Sequence, residues 1–255
     1  MNFIVSASTD IGNVKQTNQD SLNVKTLTVN GEKVVFAIIC DGMGGLERGE
    51  LASASVVKAF SKWAVERLPY MVEDSFPAEA ICREWSDLIT RYNEKIGDYG
   101  KKSGISLGTT VTVIILTGSN YCIGQVGDGR AYEITDRAFI LTKDQTLVAK
   151  EVDQGLLTPE EALEDPRRSV LLQCVGASEN VYPEFVLGQT KRDAVYMLCS
   201  DGFRHEISGE EIAAYFHPDR MTSMDAMHAN EQMLIEMNKQ RQERDNISVI
   251  TIRTF

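Results

Sequence analysis

The chain has few of the residues from which proteins build disulfide frameworks or zinc sites. Its 255 residues include five cysteines and three histidines. The cysteines are odd in number and lack Cys-x-x-Cys spacing, and the histidines lack the mutual spacing of metal ligands. Cys40, Cys122 and Cys199 lie within apolar, strand-like runs, where a free thiol behaves as a small hydrophobic side chain. This pattern predicts reduced thiols and a cytoplasmic protein.

Long apolar runs and an excess of positive charge are also missing. No segment approaches the roughly 18 consecutive apolar residues of a membrane span, and the N-terminal residues do not resemble a signal peptide. The net charge of −11 argues against nucleic acid and anionic membrane surfaces as partners, because both favour a basic face. Internal repeats and Pro/Ser-rich linkers are absent, and residues 1–255 are expected to form one domain. The protein is also expected to be a monomer.

What the chain does have is aspartates at the ends of apolar runs that predict buried strands. Asp41 and Asp201 each follow such a run, and Asp245 precedes one. Each stands beside a Gly or Asn that can turn, and a fourth aspartate, Asp128, lies between two glycines. A single Asp-Gly pair is usually an ordinary turn. Several at strand ends predict instead a rim of carboxylates, which is a cluster of hard oxygen ligands.

Such a cluster needs positive charge to be stable. Two ionised carboxylates about 4 Å apart repel each other by about 4 kcal/mol at an effective dielectric constant of about 20. Without compensation, one of them would hold a proton. A divalent cation removes the conflict, and ligation by oxygen alone favours Mg²⁺ or Mn²⁺ over zinc.

The order of predicted elements indicates an α+β fold of stacked antiparallel sheets with helices outside. Strands are predicted at residues 3–7, 21–29, 33–40, 108–116, 121–126, 131–134, 139–141, 185–187, 195–199 and from 247 onward. Helices are predicted at residues 48–68, from Pro77, at 145–154, after capping boxes at Thr158 and Ser208, and at 224–240. The aromatic stripes on the first two helices are expected to pack in the core.

Seven short motifs then occur in one order between residues 12 and 249. They are Gly12-Asn13-Val14-Lys15-Gln16-Thr17-Asn18-Gln19-Asp20, Asp41-Gly42-Met43-Gly44-Gly45, Gly108-Thr109-Thr110, Gly127-Asp128-Gly129-Arg130, Leu141-Thr142-Lys143-Asp144, Cys199-Ser200-Asp201-Gly202 and Asp245-Asn246-Ile247-Ser248-Val249. Any one of them is weak evidence. Together and in order, they resemble the metal-dependent protein serine/threonine phosphatases of type 2C, particularly the bacterial members.

The resemblance implies an αββα sandwich with a two-metal centre at one end of the sheets. By position, Asp41 would bridge both metals, the Gly42 carbonyl would bind one, and Asp201 and Asp245 would complete the other. The Asp128 position corresponds to a ligand of a third, looser metal that is shared with Asp201. Asp20 corresponds to an acidic position near the metals, with an indirect role.

Three positions depart from the family pattern. Lys15 stands where the family has an arginine that binds the substrate phosphate, and a lysine cannot form the same bidentate contact. Lys15 is still expected to bind the phosphate as a catalytic residue, and the alternative is a solvated surface lysine. Met43 stands where eukaryotic members carry a histidine proposed as general acid, and bacterial members share the methionine. Gly129 and Gln145 replace a usual serine and histidine, with expected effects on the third metal site or on the flap.

The predicted reaction is hydrolysis of phosphoserine and phosphothreonine in proteins by water activated by two Mn²⁺ or Mg²⁺ ions, reversing a Ser/Thr kinase. A third ion at Asp128 is left open. Residues 145–183 correspond to the variable flap, where Arg167 and Arg168 form a basic pair that either contacts a phosphoprotein or is simply solvated. Two alternatives are a non-catalytic scaffold with the phosphatase fold and a two-metal nuclease or phosphodiesterase. The four principal acids argue against the first, and the net charge argues against the second.

Overall fold

The fold is described by a computed structural model for residues 1–43, 48–73 and 75–255. Gly44 and Gly45 of the second motif lie outside these residues. The strands are β1 Phe3–Asp10, β2 Asp20–Val29, β3 Glu32–Met43, β4 Gly108–Thr109, β5 Val111–Leu116, β6 Asn120–Val126, β7 Arg130–Ile134, β8 Ala138–Ile140, β9 Glu184–Gln189, β10 Val195–Cys199 and β11 Ile247–Thr254. The helices are α1 Gly49–Glu66, α2 Leu68–Met71, α3 Ala78–Ser103, α4 Leu147–Asp153, α5 Pro159–Glu164, α6 Asp201–Arg204, α7 Gly209–Tyr215 and α8 Met224–Gln240, with a 3₁₀ turn at Pro218–Arg220.

Two sheets lie face to face. The first has the strand order β1-β11-β10-β7-β8, and the second has the order β2-β3-β5-β6-β9, with β4 paired to β3. The strand pairs are antiparallel. The prediction of an αββα sandwich of stacked antiparallel sheets is confirmed.

The strand β3 shows why the sandwich forms, because its two faces belong to two different cores. Phe36 and Ile38 face the helical side and pack in one cluster with residues of α1 and α3. Ala37 and Ile39 face the other sheet, in a cluster with residues of β10 and β11. Since side chains alternate along a strand, an uninterrupted apolar run is what a strand buried on both faces requires. A third cluster packs the outer face of the first sheet against α7 and α8.

The helix predictions are also confirmed in their main features. Trp85 of α3 is fully buried, as expected for the aromatic stripe. Thr158 and Ser208 both form complete capping boxes, at the starts of α5 and α7. The described helices include none that combines the length and apolarity needed to cross a bilayer.

Candidate metal centre

Asp41 lies near the end of β3, directly opposite Asp20, the first residue of β2. Directly opposed residues of antiparallel strands place their side chains on the same face. The backbone at Asp41 is fixed from the other side: its N–H donates to Thr110 Oγ1 at 2.9 Å, and its carbonyl accepts from Thr110 N and Thr109 Oγ1, both at 2.9 Å. The break between β4 and β5 therefore holds the end of β3 in place.

Asp201 and Asp245 reach the same end of the sandwich from the first sheet. Asp201 starts α6 directly after β10, and Asp245 stands two residues before β11, the antiparallel neighbour of β10. The raised pKa of Asp41 shows that both residues lie near it. Loss of hydration, together with the negative charges of Asp20, Asp201, Asp245 and Asp128, raises the pKa of Asp41 well above its ordinary value. The structure thus brings the predicted acids together.

Several carboxylate oxygens in this cluster lack a partner. Both side-chain oxygens of Asp20 and Oδ1 of Asp201 are buried without a hydrogen-bond partner. Burial and the charges of Asp201 and Asp245 raise the pKa of Asp20 to about 7. Buried acceptors without donors are costly, and a divalent cation would remove both the missing contacts and the repulsion. The donor set therefore fits Mg²⁺ or Mn²⁺.

The side chains are not arranged as a closed coordination shell. Within the described ranges, no group of three or more His, Cys, Asp or Glu side chains could hold a metal ion as it stands. One predicted ligand already has a cation of the protein beside it, since Lys15 Nζ lies 2.7 Å from Asp245 Oδ1. A divalent cation at Asp245 would therefore compete with the Lys15 ammonium group.

Gly42 is required by close packing at the end of β3. A Cβ at this position would overlap the carbonyl oxygens of Gly49 and Gln19. With its amide oriented to satisfy both groups, Gln19 donates to the Gly42 carbonyl at 3.2 Å and accepts from Gly49 N at 3.1 Å. A carbonyl oxygen has two lone pairs, so Gly42 retains one for a cation. Its role as a ligand stays a prediction.

The segment that carries Lys15 is held by Asn246. The Asn246 side chain donates to the carbonyls of Ile11 at 3.0 Å and Thr17 at 3.2 Å, and accepts from Gln19 N at 2.8 Å. Its neighbour Asp245 is the partner of Lys15. The two neighbouring residues therefore differ in role. Asp245 belongs to the carboxylate cluster, and Asn246 fixes the loop beside it.

Asp128 lies in the turn between β6 and β7, within a network of arginines. Arg204 Nη2 donates to the Asp128 carbonyl at 3.0 Å and to Asp144 Oδ2 at 3.0 Å. Arg130 adds two further bonds to Asp144, at 2.7 and 2.8 Å. Burial and the charge of Asp201 raise the pKa of Asp128 to about 7, against the lowering effect of Arg204.

His205 was not expected at the site, yet it bridges two acids there. Its Nε2 lies 3.4 Å from Asp201 Oδ2, and its Nδ1 lies 3.3 Å from Glu243 Oε2. Burial opposes a charge on His205, but Glu243 and Asp201 raise its pKa. Burial likewise opposes ionisation of Asp201, while His205 and Arg204 lower its pKa. The spacing of four between Asp201 and His205, one helical turn, was the available sequence signal.

Two departures from the family pattern have local explanations. A Cβ at Gly129 would overlap Thr112 Oγ1, so a serine there would collide with the threonine beneath it. Gln145 accepts from Gly127 N at 2.8 Å and thereby ties the start of the predicted flap to the Asp128 turn. Both residues shape the surroundings of Asp128.

The predicted flap, residues 145–183, carries α4 and α5. A groove of about 870 Å³ lies between these helices and α7, and its lining includes Arg204 and His205. Arg167 pairs with Glu151 and Asp165, and Arg168 lies 3.6 Å from Glu206. Because both arginines already pair with acids of the chain itself, these contacts favour the interpretation of Arg167 and Arg168 as solvated surface residues over the interpretation that they contact a phosphoprotein.

Comparison with known proteins identifies the family. A family model described as protein phosphatase 2C matches residues 12–238. The chain therefore belongs to the protein phosphatase 2C family. This membership agrees with the resemblance inferred from the motifs and disfavours the nuclease alternative.

Individual relatives are bacterial. The protein phosphatase PhpP of Streptococcus pneumoniae is 28% identical over 252 residues, covering 97% of this chain and 96% of that protein. A serine/threonine phosphatase structure from S. agalactiae covers 100% of both chains with a TM-score of 0.84 and 29% identity. A structure of the catalytic domain of the phosphatase PstP in complex with two manganese ions covers 98% of this chain and 97% of that chain, with a TM-score of 0.79 and 25% identity.

Proposed function

We propose that this chain hydrolyses phosphoserine and phosphothreonine in proteins and so reverses the action of a cognate Ser/Thr kinase, as a cytoplasmic monomer. The observation that carries the proposal is the cluster of Asp20, Asp41, Asp201 and Asp245, in which buried carboxylate oxygens lack partners. Membership of the protein phosphatase 2C family supports the proposal. So does the name of the relative PhpP, a protein phosphatase that matches this chain over 96% of its own length.

The residues that would hold the metal ions are Asp41, Gly42 through its carbonyl, Asp201 and Asp245. Asp20 would act indirectly, through its charge beside Asp41. Mn²⁺ or Mg²⁺ ions, when bound, would neutralise the carboxylates and activate the water that attacks phosphorus. The manganese complex of PstP supports this choice of metal.

The chain's own residues would position and neutralise the substrate. Burial opposes a charge on Lys15, but Asp245, Asp41 and Asp201 raise its pKa, so it stays protonated at neutral pH. We propose that Lys15 exchanges its contact with Asp245 for a contact with a phosphate oxygen when substrate binds. There it would bind the negative charge that the phosphate already carries in the bound substrate, so its main effect would be on substrate affinity. The Asn246 tether limits how far the loop can move during this exchange.

The test is phosphate release from a phosphothreonine peptide by purified protein with Mn²⁺, with Mg²⁺ or with EDTA. We expect release that depends on metal and stops in EDTA. A bis-phosphoester and single-stranded DNA, assayed in parallel, should give no product.

Asp201→Asn is the matched inactive control, because it removes one negative charge while keeping the side-chain shape. Absence of release by folded protein with either metal would support a binding scaffold instead. Hydrolysis of the bis-ester or the DNA in preference to the peptide would replace the proposed substrate class.

A further inference from the structure

Arg204 is a buried cation at the edge of the carboxylate cluster. Its side chain is 10% exposed, and its Nη2 lies 3.9 Å from Asp128 Oδ2. The same nitrogen donates to the Asp128 carbonyl at 3.0 Å and to Asp144 Oδ2 at 3.0 Å. Three oxygen atoms from two residues therefore surround one guanidinium nitrogen.

The charge of Arg204 also reaches the second acid of the expected third site. Asp201 and Arg204 are the first and last residues of the four-residue helix α6, so the carboxylate and the guanidinium belong to the same helical turn. Asp128 and Asp201 are the two residues that the family resemblance assigns to a third, looser metal. In this chain the two carboxylates already share a nearby positive charge, which belongs to the protein itself.

The position of Arg204 is firmly fixed. It is the last residue of α6, which starts at Asp201. Asp144, one of its two partners, is clamped by Arg130 through two parallel bonds of 2.7 and 2.8 Å. Two parallel bonds between an arginine and a carboxylate give a well-defined geometry. A divalent ion at Asp128 would therefore face a fixed positive charge 3.9 Å from Asp128 Oδ2.

We propose that the Arg204 guanidinium takes the place of the third cation, so that this chain binds two metal ions and has no metal site at Asp128. The inference refines the proposed two-ion centre and rests on it. The family's third-metal ligands are present here, but the surroundings do not fit a third metal.

The test is the number of Mn²⁺ ions bound, measured by isothermal titration calorimetry and by the electron paramagnetic resonance signal of free Mn²⁺. The native protein is expected to bind two ions. Arg204→Ala is expected to bind one more, because Asp128 loses its built-in cation, and Arg204→Ala/Asp128→Asn should lose that added ion. Arg204→Lys keeps the charge and should match the native count.

The controls separate this inference from the proposed function. Arg168→Ala removes a groove arginine that lies near Glu206 instead, and it should leave the count unchanged. Folding is checked by circular dichroism, and Arg204→Gln replaces the alanine variant if that variant does not fold. A folded Arg204→Ala or Arg204→Gln variant that gains no ion overturns the inference, as does an ion lost from the native protein on Asp128→Asn alone. A native count below two would challenge only the proposed two-ion centre, whereas a native count of three would contradict the inference.

Discussion

Replacing Lys15 by alanine should weaken substrate binding far more than it weakens the fold. The Nζ of Lys15 lies 2.7 Å from Asp245 Oδ1, but the two side chains are 37% and 34% exposed. Ion pairs this open to solvent contribute about 0–1 kcal/mol to stability. In a chain of this length, a loss of that size lowers the melting temperature by at most about 2–4 °C.

The expected effect on activity is larger. A hydrogen bond to a charged group is worth about 1.5–3 kcal/mol, and each 1.4 kcal/mol is about a factor of ten. If Lys15 binds the substrate phosphate, Lys15→Ala should raise KM about 10- to 100-fold with a smaller change in kcat. Lys15→Arg should restore KM to the native value or below it, because a guanidinium can contact two phosphate oxygens at once.

The assay is steady-state kinetics on a phosphothreonine peptide at saturating Mn²⁺. Saturating metal removes any effect of Lys15 on metal binding at Asp245, so the change in KM reports on phosphate binding alone. Lys143→Ala is the control, since Lys143 also pairs with an aspartate, Asp153, in a more exposed position. An unchanged KM in Lys15→Ala would refute the phosphate role. A fall in melting temperature well beyond 4 °C would refute the stability reasoning.

The remaining predictions concern the metal centre, the end of β3 and acid stability. Asp201→Asn should abolish turnover while the circular dichroism spectrum stays native; activity retained with Mn²⁺ would contradict the ligand assignment. Gly42→Ala should cost about 1–3 kcal/mol in urea unfolding because the new methyl meets backbone oxygens, whereas Gly209→Ala, with open space around it, should cost nothing. Contact with Arg241 holds the pKa of Glu211 at about 2. Its stabilising effect is complete above pH ~4.5 and fades as pH falls towards 2, so Glu211→Gln should cost about 1 kcal/mol at pH 7 after allowance for solvent screening and little at pH 2.

Local signals in the sequence were enough for most of the fold. The capping boxes at Thr158 and Ser208 are confirmed. They could be predicted because the two residues of each box lie within four positions of each other in the sequence. The burial of β3 on both faces followed from its unbroken apolar run. By contrast, α6 was missed because its four residues are too few to show a helical period. The predicted strand 108–116 is interrupted at Thr110, whose N–H and hydroxyl both bind the backbone of Asp41.

The candidate site was predictable as far as its motifs extended. Asp20, Asp41, Asp201 and Asp245 were identified because each lies in a motif at a strand end. The roles of Arg204, His205 and Glu243 were not, because they depend on contacts with residues up to 76 positions away in the chain. Pairings over such distances leave no periodic trace in one sequence. The same limit explains why the contact between Lys15 and Asp245 could not be foreseen.

The position of β11 has a consequence for synthesis of the protein. It follows every other strand in the chain, yet it lies between β1 and β10 in the first sheet. A chain emerging from the ribosome therefore holds β1 without its neighbour, and Asp41 without Asp245, until residues 245–254 appear. Translation of the residues up to β11 takes on the order of tens of seconds. Until β11 appears the nascent polypeptide lacks a complete carboxylate rim, so hydrolytic capacity would arise in a single step rather than gradually.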